Sequence, residues 1–69
     1  MPLSMVGVGV SRPIVRVGGS PQVRAHLENL GFVVGEIVRV VSDISGNLIV
    51  QIKDSRVAIG RELASKILV

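Results

Sequence analysis

The sequence has no cysteine, no tryptophan and no tyrosine, and its one aromatic residue is Phe32. Without cysteine, no disulfide and no thiolate metal site can supplement the core. Proteins that bind single-stranded nucleic acid commonly stack bases on aromatic side chains. Here the lone candidate, Phe32, lies inside the apolar stretch Leu30–Val34, so it is expected in the core. Histidine is equally scarce: His26 is the only one. The acids number five, Glu28, Glu36, Asp43, Asp54 and Glu62, and no two stand close enough in sequence to suggest an acid/base or metal-binding pair. No long hydrophobic run exists either. Met1–Val10 is apolar but lacks a basic leader, is broken by Gly7 and Gly9, and ends at Arg12. That is well short of the roughly 18 apolar residues of a membrane helix, and it does not fit a signal peptide. No membrane insertion is expected, and the chain reads as soluble and cytoplasmic.

Against these gaps stands a surplus of β-branched residues: 21 of the 69 residues are Val or Ile. Such side chains are stiff at χ1 and suit a pleated surface better than a helix. The length predicts one domain, residues 1–69, that buries only about 60% of its unfolded surface. Eight basic residues against five acidic ones give a net charge of +3. The basic residues are scattered singly, so no polybasic segment forms.

Met1–Gly9 reads as an irregular lead-in, because two glycines two apart favour a bent backbone. Arg12–Val17 reads as a strand with Pro13 at its start or on an edge, where a missing N–H is tolerated. Gly18-Gly19 interrupts the chain. Ser20 is an N-cap type and Pro21 suits the first helical position. Val23, Leu27 and Leu30 then recur at i, i+4 and i+7, and Gly31 supplies a C′ residue, which predicts a helix over Ser20–Leu30. From Glu36 to Ile52 the period changes to two. Val38 and Val40, then Leu48, Val50 and Ile52, define one face. Gly46-Asn47 between the two alternations predicts a type II′ hairpin turn with Gly at the first central position. Asp54-Ser55 marks a second turn, Val57–Ile59 a short strand, Gly60–Ser65 one helical turn and Lys66–Val69 a terminal strand. The expected architecture is mainly β: a small twisted barrel of about five strands, with one short helix inserted after the first. Closure would also remove open Val-rich edges that invite aggregation.

Catalytic and phosphate-binding patterns are missing. His26 lies off the apolar stripe of its helix and reads as a solvated side chain. The seven serines carry no nucleophile signature. Gly7 and Gly9 are not followed by the third glycine of G-x-G-x-x-G, and no Gly-Lys-Ser/Thr occurs. The chain is therefore read as a non-enzyme with no cofactor and no metal site. One feature points outward. Opposite the buried face of the hairpin lie Ile37, Val41 and Ile49, beside Arg39, Gln51 and Lys53. Either the helix or a terminus covers these apolar residues, or they form a patch ringed by basic groups of the kind that docks a protein.

The run Arg24-Ala25-His26-Leu27-Glu28-Asn29-Leu30-Gly31-Phe32-Val33-Val34-Gly35 resembles the R-x-x-L-x-x-L-G-hydrophobic-x-x-G signature of FeoA domains. Gly35–Val40 resembles the G-x-x-V-x-V that follows it in that family. Leu3-Ser4 with Val6 and Gly9 resembles the opening L-S-x-L-x-x-G, and Ala58–Gly60, Ala64 and Ile67–Val69 resemble its close. Two positions depart: Gly60 stands where arginine is usual, with Arg61 following, and Asp54 stands where glycine is common. The resemblance implies an SH3-like barrel and a small cytoplasmic accessory of ferrous iron uptake. Its implied partner is the FeoB-type membrane transporter, through the cytoplasmic GTPase domain or the membrane part. Docking is then expected through the exposed side of the helix, with Arg24 and Glu28, or through the sheet face carrying Ile37, Arg39, Val41 and Ile49. Tight ferrous iron binding by the chain itself is not expected. Two alternatives remain. Gly35–Val40 also resembles the start of a KOW motif, which implies an RNA- or ribosome-binding module. The FeoA domain also occurs at the C-terminus of iron-dependent repressors, which allows a freestanding relative of that domain.

Overall fold

In the computed structural model, which describes residues 1–69, the strand expected at Arg12–Val17 forms as two. Strand β1 (Ser11–Pro13) runs antiparallel to β3 (Ile37–Ile44), and β2 (Arg16–Val17) runs antiparallel to β6 (Ile67–Leu68). The break is hydrogen-bonded throughout. Ile14 N–H donates to the Glu36 carbonyl at 2.9 Å, Gly35 N–H donates to the Ile14 carbonyl at 2.8 Å, and Val15 N–H donates to the Leu68 carbonyl at 2.8 Å. The chain thus leaves one sheet at Ile14 and joins the other at the next residue, with both backbone groups of Ile14 and the N–H of Val15 paired. Ile14 is buried at the corner and Val15 is exposed.

Strands β4 (Asn47–Ile52) and β5 (Ser55–Gly60) complete a four-stranded antiparallel sheet in the order β1-β3-β4-β5. Pro13 sits on the edge strand, where its missing N–H leaves no gap in the ladder. The mainly β, SH3-like architecture with an inserted helix is as expected from the sequence. Closure of the sheet is not: β1 and β5 are open edges, and β2-β6 forms a separate ribbon. The N-terminal segment bridges the two sheets instead. Gly9 N–H donates to the Val40 carbonyl at 2.7 Å, Val69 N–H donates to the Met1 carbonyl at 2.8 Å, and Pro2 pairs with Leu68. The segment is irregular, as expected, with a 3-10 turn (Leu3–Met5), and it buries Leu3 and Val6 in the core.

Both turns fall one residue earlier than the spacing predicts. Ile44 pairs with Asn47, so the central residues of the first turn are Ser45 (φ +48°) and Gly46 (φ +83°). Two positive values are the sign pattern of type I′, which matches the twist of the flanking strands. Ile52 pairs with Ser55, so the second turn is Lys53-Asp54.

Helix α1 (Pro21–Asn29) follows the local chemistry closely. The Ser20 hydroxyl oxygen accepts from Val23 N–H at 3.3 Å, and Pro21 opens the first turn. At the other end Phe32 N–H donates to the Leu27 carbonyl at 3.0 Å and Gly31 N–H to the Glu28 carbonyl at 2.9 Å, with Gly31 at φ +106°. This is a Schellman motif, whose usual companion is an apolar contact between the two residues that close it. Here those residues are Leu27 and Phe32, both fully buried. A second helix, α2 (Arg61–Ala64), provides the single turn expected after β5 and buries Ala64. All fourteen buried residues are apolar; the alternating set Val38, Val40, Leu48, Val50 and Ile52 supplies five of them.

Candidate functional surfaces

The side chains that reach solvent in an organised way lie on two surfaces. The first is the outer face of the four-stranded sheet. Register places Ser11 opposite Arg39, Arg39 opposite Gln51 and Gln51 opposite Arg56, so these four residues form one row across all four strands. Val38 and Val40 on either side of Arg39 are buried, which fixes the row on the solvent face. Beside it, Gly35, Glu36, Ile37, Arg39, Gln51 and Lys53 line a depression of about 380 Å³. The Lys53 ammonium pairs with the Glu36 carboxylate at 3.7 Å. Ile37 is 55% exposed, while Ile49 and Val41 are half-buried.

Val41 has a special position. The pairing shifts between Val40 and Ser42, leaving Val41 in a β-bulge without a cross-strand partner. The extra residue inverts the alternation from that point onward. Asp43 therefore lies opposite buried Leu48, on the core side of the sheet end, rather than out beside Arg39. There Arg61 receives it. The Arg61 Nη2 group donates to both Asp43 carboxylate oxygens at 2.6 Å, and Nη1 donates to the Ser4 carbonyl at 3.1 Å. This arginine follows the Gly60 departure. Its ties run to the hairpin end and the 3-10 turn.

The second surface is a groove of about 490 Å³ between the helix and the corner of the chain, lined by Val15, Arg16, Val17, Arg24, Glu28, Val33 and Val34. Val15 and Val34 are 62% and 65% exposed. The six residues proposed from sequence as partner-contacting thus divide between two surfaces. Arg24 and Glu28 line the helix-side groove, and Ile37 and Arg39 line the sheet-face depression. Ile49 is on that sheet face, in register with Ser42 and Ala58, and Val41 sits at the bulge. Sequence reasoning did not find Arg56, Val15 or Val34. Arg56 was within reach through hairpin register, since a turn at Lys53-Asp54 sets it opposite Gln51. The exposed valines had no signal, because their exposure comes from the corner at Ile14 and not from any pattern.

No polar side chain is buried, and no three of the His, Asp and Glu side chains gather into a ligand set. No helix is long and apolar enough to cross a membrane.

Comparison with known proteins agrees with this outline. Among solved structures, the chain is similar to an iron uptake regulatory protein (FeoA), with 30% identity over 96% of this chain and 88% of that one and a TM-score of 0.88. It is similar also to the Stenotrophomonas maltophilia FeoA solved in complex with zinc, with 30% identity over 99% of this chain and 87% of that one and a TM-score of 0.85. That protein is described as a prokaryotic SH3 domain protein and a candidate ferrous iron transport activating factor. A manganese-dependent transcriptional repressor shares the fold, with 21% identity over 97% of this chain and 39% of that one and a TM-score of 0.87. No curated protein matches the chain. The FeoA domain family matches residues 1–69, and its members are small SH3-like domains, not a known enzyme family. The chain is a member of the FeoA family, which points to an accessory role in ferrous iron transport.

Proposed function

We propose that this chain is a small cytoplasmic accessory of ferrous iron uptake that acts by docking on a FeoB-type membrane transporter, through the cytoplasmic GTPase domain or the membrane part. The observation that carries this reading is the family match over residues 1–69. The molecule's surface chemistry supports it. Apolar side chains stand exposed beside basic ones on both surfaces, as in the mixed anatomy of a protein interface. A domain this size contributes by binding energy and geometry, so its effect on transport is exerted through the conformation of its partner.

The test is a titration of the full chain against the intact transporter and against its soluble GTPase domain, with and without guanine nucleotide, read by calorimetry. Saturable binding to either is the expected result. Absence of binding to both in every nucleotide state removes the proposal.

A second reading has one observation in its favour, the shared fold with the manganese-dependent repressor. In that reading the chain is a freestanding relative of a repressor's C-terminal domain and docks on a repressor partner. A repressor gene beside the chain's own gene, in place of a transporter gene, would favour it.

A further inference from the structure

We infer that the row Arg39–Gln51–Arg56 on the outer sheet face recognises an acidic segment of the protein partner; this rests on the docking role proposed above. Three observations converge there. Arg39 and Arg56 are exposed, lie on the same face and flank Gln51 directly across the β3-β4-β5 ladder. Strand spacing puts their backbones about 10 Å apart, a separation held by the ladder and not by flexible loops. Neither guanidinium makes an ion pair within the chain: the two intramolecular pairs are Lys53–Glu36 and Arg61–Asp43. Of the carboxylates near this face, Glu36 is committed to Lys53, and Asp54 in the adjoining turn pairs with no basic group. The row therefore carries two bidentate-capable cations with no ion-pair partner in the chain, on backbones held at a set distance.

That arrangement suits carboxylates. The guanidinium fork matches a carboxylate with two parallel hydrogen bonds, and pre-set spacing reduces the ordering cost of binding. Gln51 between them offers an amide that can donate to and accept from a partner backbone. Ile37 on one side, exposed, and Ile49 on the other, half-buried, supply apolar contact flanking the charges. A protein segment can use all of these features. A nucleic acid strand could use only the charges, because the single aromatic, Phe32, is fully buried and cannot stack a base. The helix-side groove differs: Arg16 and Arg24 there share the wall with Glu28, which has no ion-pair partner, whereas Glu36 beside the row is paired with Lys53, so selection for acidic partners is weaker at the groove.

The experiment follows backbone amide shifts of the 15N-labelled full chain as an oligoglutamate peptide is added, with a short DNA duplex as competitor. The same variants are then titrated against the intact transporter. Shifts at Ile37–Arg39, Gln51 and Arg56 are expected, and Arg39→Glu with Arg56→Glu should abolish them. Arg56→Glu alone should weaken transporter binding roughly tenfold, as loss of a paired interfacial charge does. Lys66→Glu makes the same change in net charge away from the row and should have no such effect. The amide spectrum of each variant shows that it is folded. Shifts centred on Val15 and Val34, unchanged transporter affinity in the double variant, or displacement of the peptide by DNA at lower concentration would each overturn the inference. If the peptide footprint appears but the wild-type chain does not bind the transporter, the row stands as an acidic-segment site and the accessory role falls.

Discussion

The two surfaces are built by different means. On the sheet face, position follows from alternation: once Val38, Val40, Leu48, Val50 and Ile52 turn inward, Arg39, Gln51 and Arg56 must turn outward. No single residue on that face decides its shape. The helix-side groove is the reverse. It exists because the chain breaks at Ile14, because Gly31 ends α1, and because Leu27 and Phe32 pull the helix end onto the core. The difference teaches where each surface is vulnerable: the sheet face should tolerate loss of any one side chain, whereas the groove depends on a few.

The largest effect should therefore come from Leu27→Ala. Leu27 is fully buried and is one of the two residues that close the Schellman motif. Its truncation should cost about 2–5 kcal/mol, enough to unfold much of a domain of this size. Ile37→Ala on the sheet face, where the side chain is 55% exposed, should change stability by less than about 0.5 kcal/mol. Chemical denaturation of both variants checks the contrast; equal losses would remove the distinction between the surfaces.

Gly31→Ala comes next. A Cβ placed there would meet Ile52 Cγ2 at 3.6 Å, ordinary contact, so space is not the obstacle. The obstacle is the backbone at φ +106°, where an L side chain is strained by about 1–2 kcal/mol. The loss should appear in the thermal midpoint, together with amide shifts along α1 and the groove. Shifts at Arg39 or Gln51 of the same size would show that the sheet face is not independent of the helix end.

How much of this was legible in the sequence follows the same division. The helix, its caps, the inward face of the hairpin and the buried place of Phe32 were readable, because each is set by residues within a few positions of one another. The two turns were misplaced by one residue, since Ser45 and Lys53 adopt positive φ without being glycine. The split of Arg12–Val17 was not readable. Ile14 and Val15 look alike in sequence, and only their partners, Glu36 and Leu68, assign them to different sheets. Closure failed as an expectation for the same reason: it depends on long-range pairing, and here the N-terminal segment bridges sheets that never join. The outward residues Ile37, Arg39 and Ile49 could be placed on one face by counting. The bulge at Val41, which re-aims Asp43, could not.

A smaller loss than that at Gly31 probes the join between the regions. Arg61 is bidentate to Asp43 at the hairpin end and donates to the Ser4 carbonyl in the 3-10 turn, so one side chain ties the sheet to the segment that bridges the two sheets. Both charged groups are more than a third exposed, so solvent and salt screen the pair. Arg61→Ala should therefore cost only about 0.2–1 kcal/mol in global stability. Its local consequence should be clearer than its global one. Leu3 and Val6 would stay held by the core, but the turn between them would lose a side-chain anchor, so the amides of Met5 and Val6 should exchange faster with solvent while those of Val40 and Val50 do not. Added salt should shrink the difference between wild type and variant, because the screened pair contributes less to begin with. If exchange instead rises uniformly across β3 and β4, the bridging segment and the sheet open as one unit, and the contrast between them would apply to their surfaces but not to their stability.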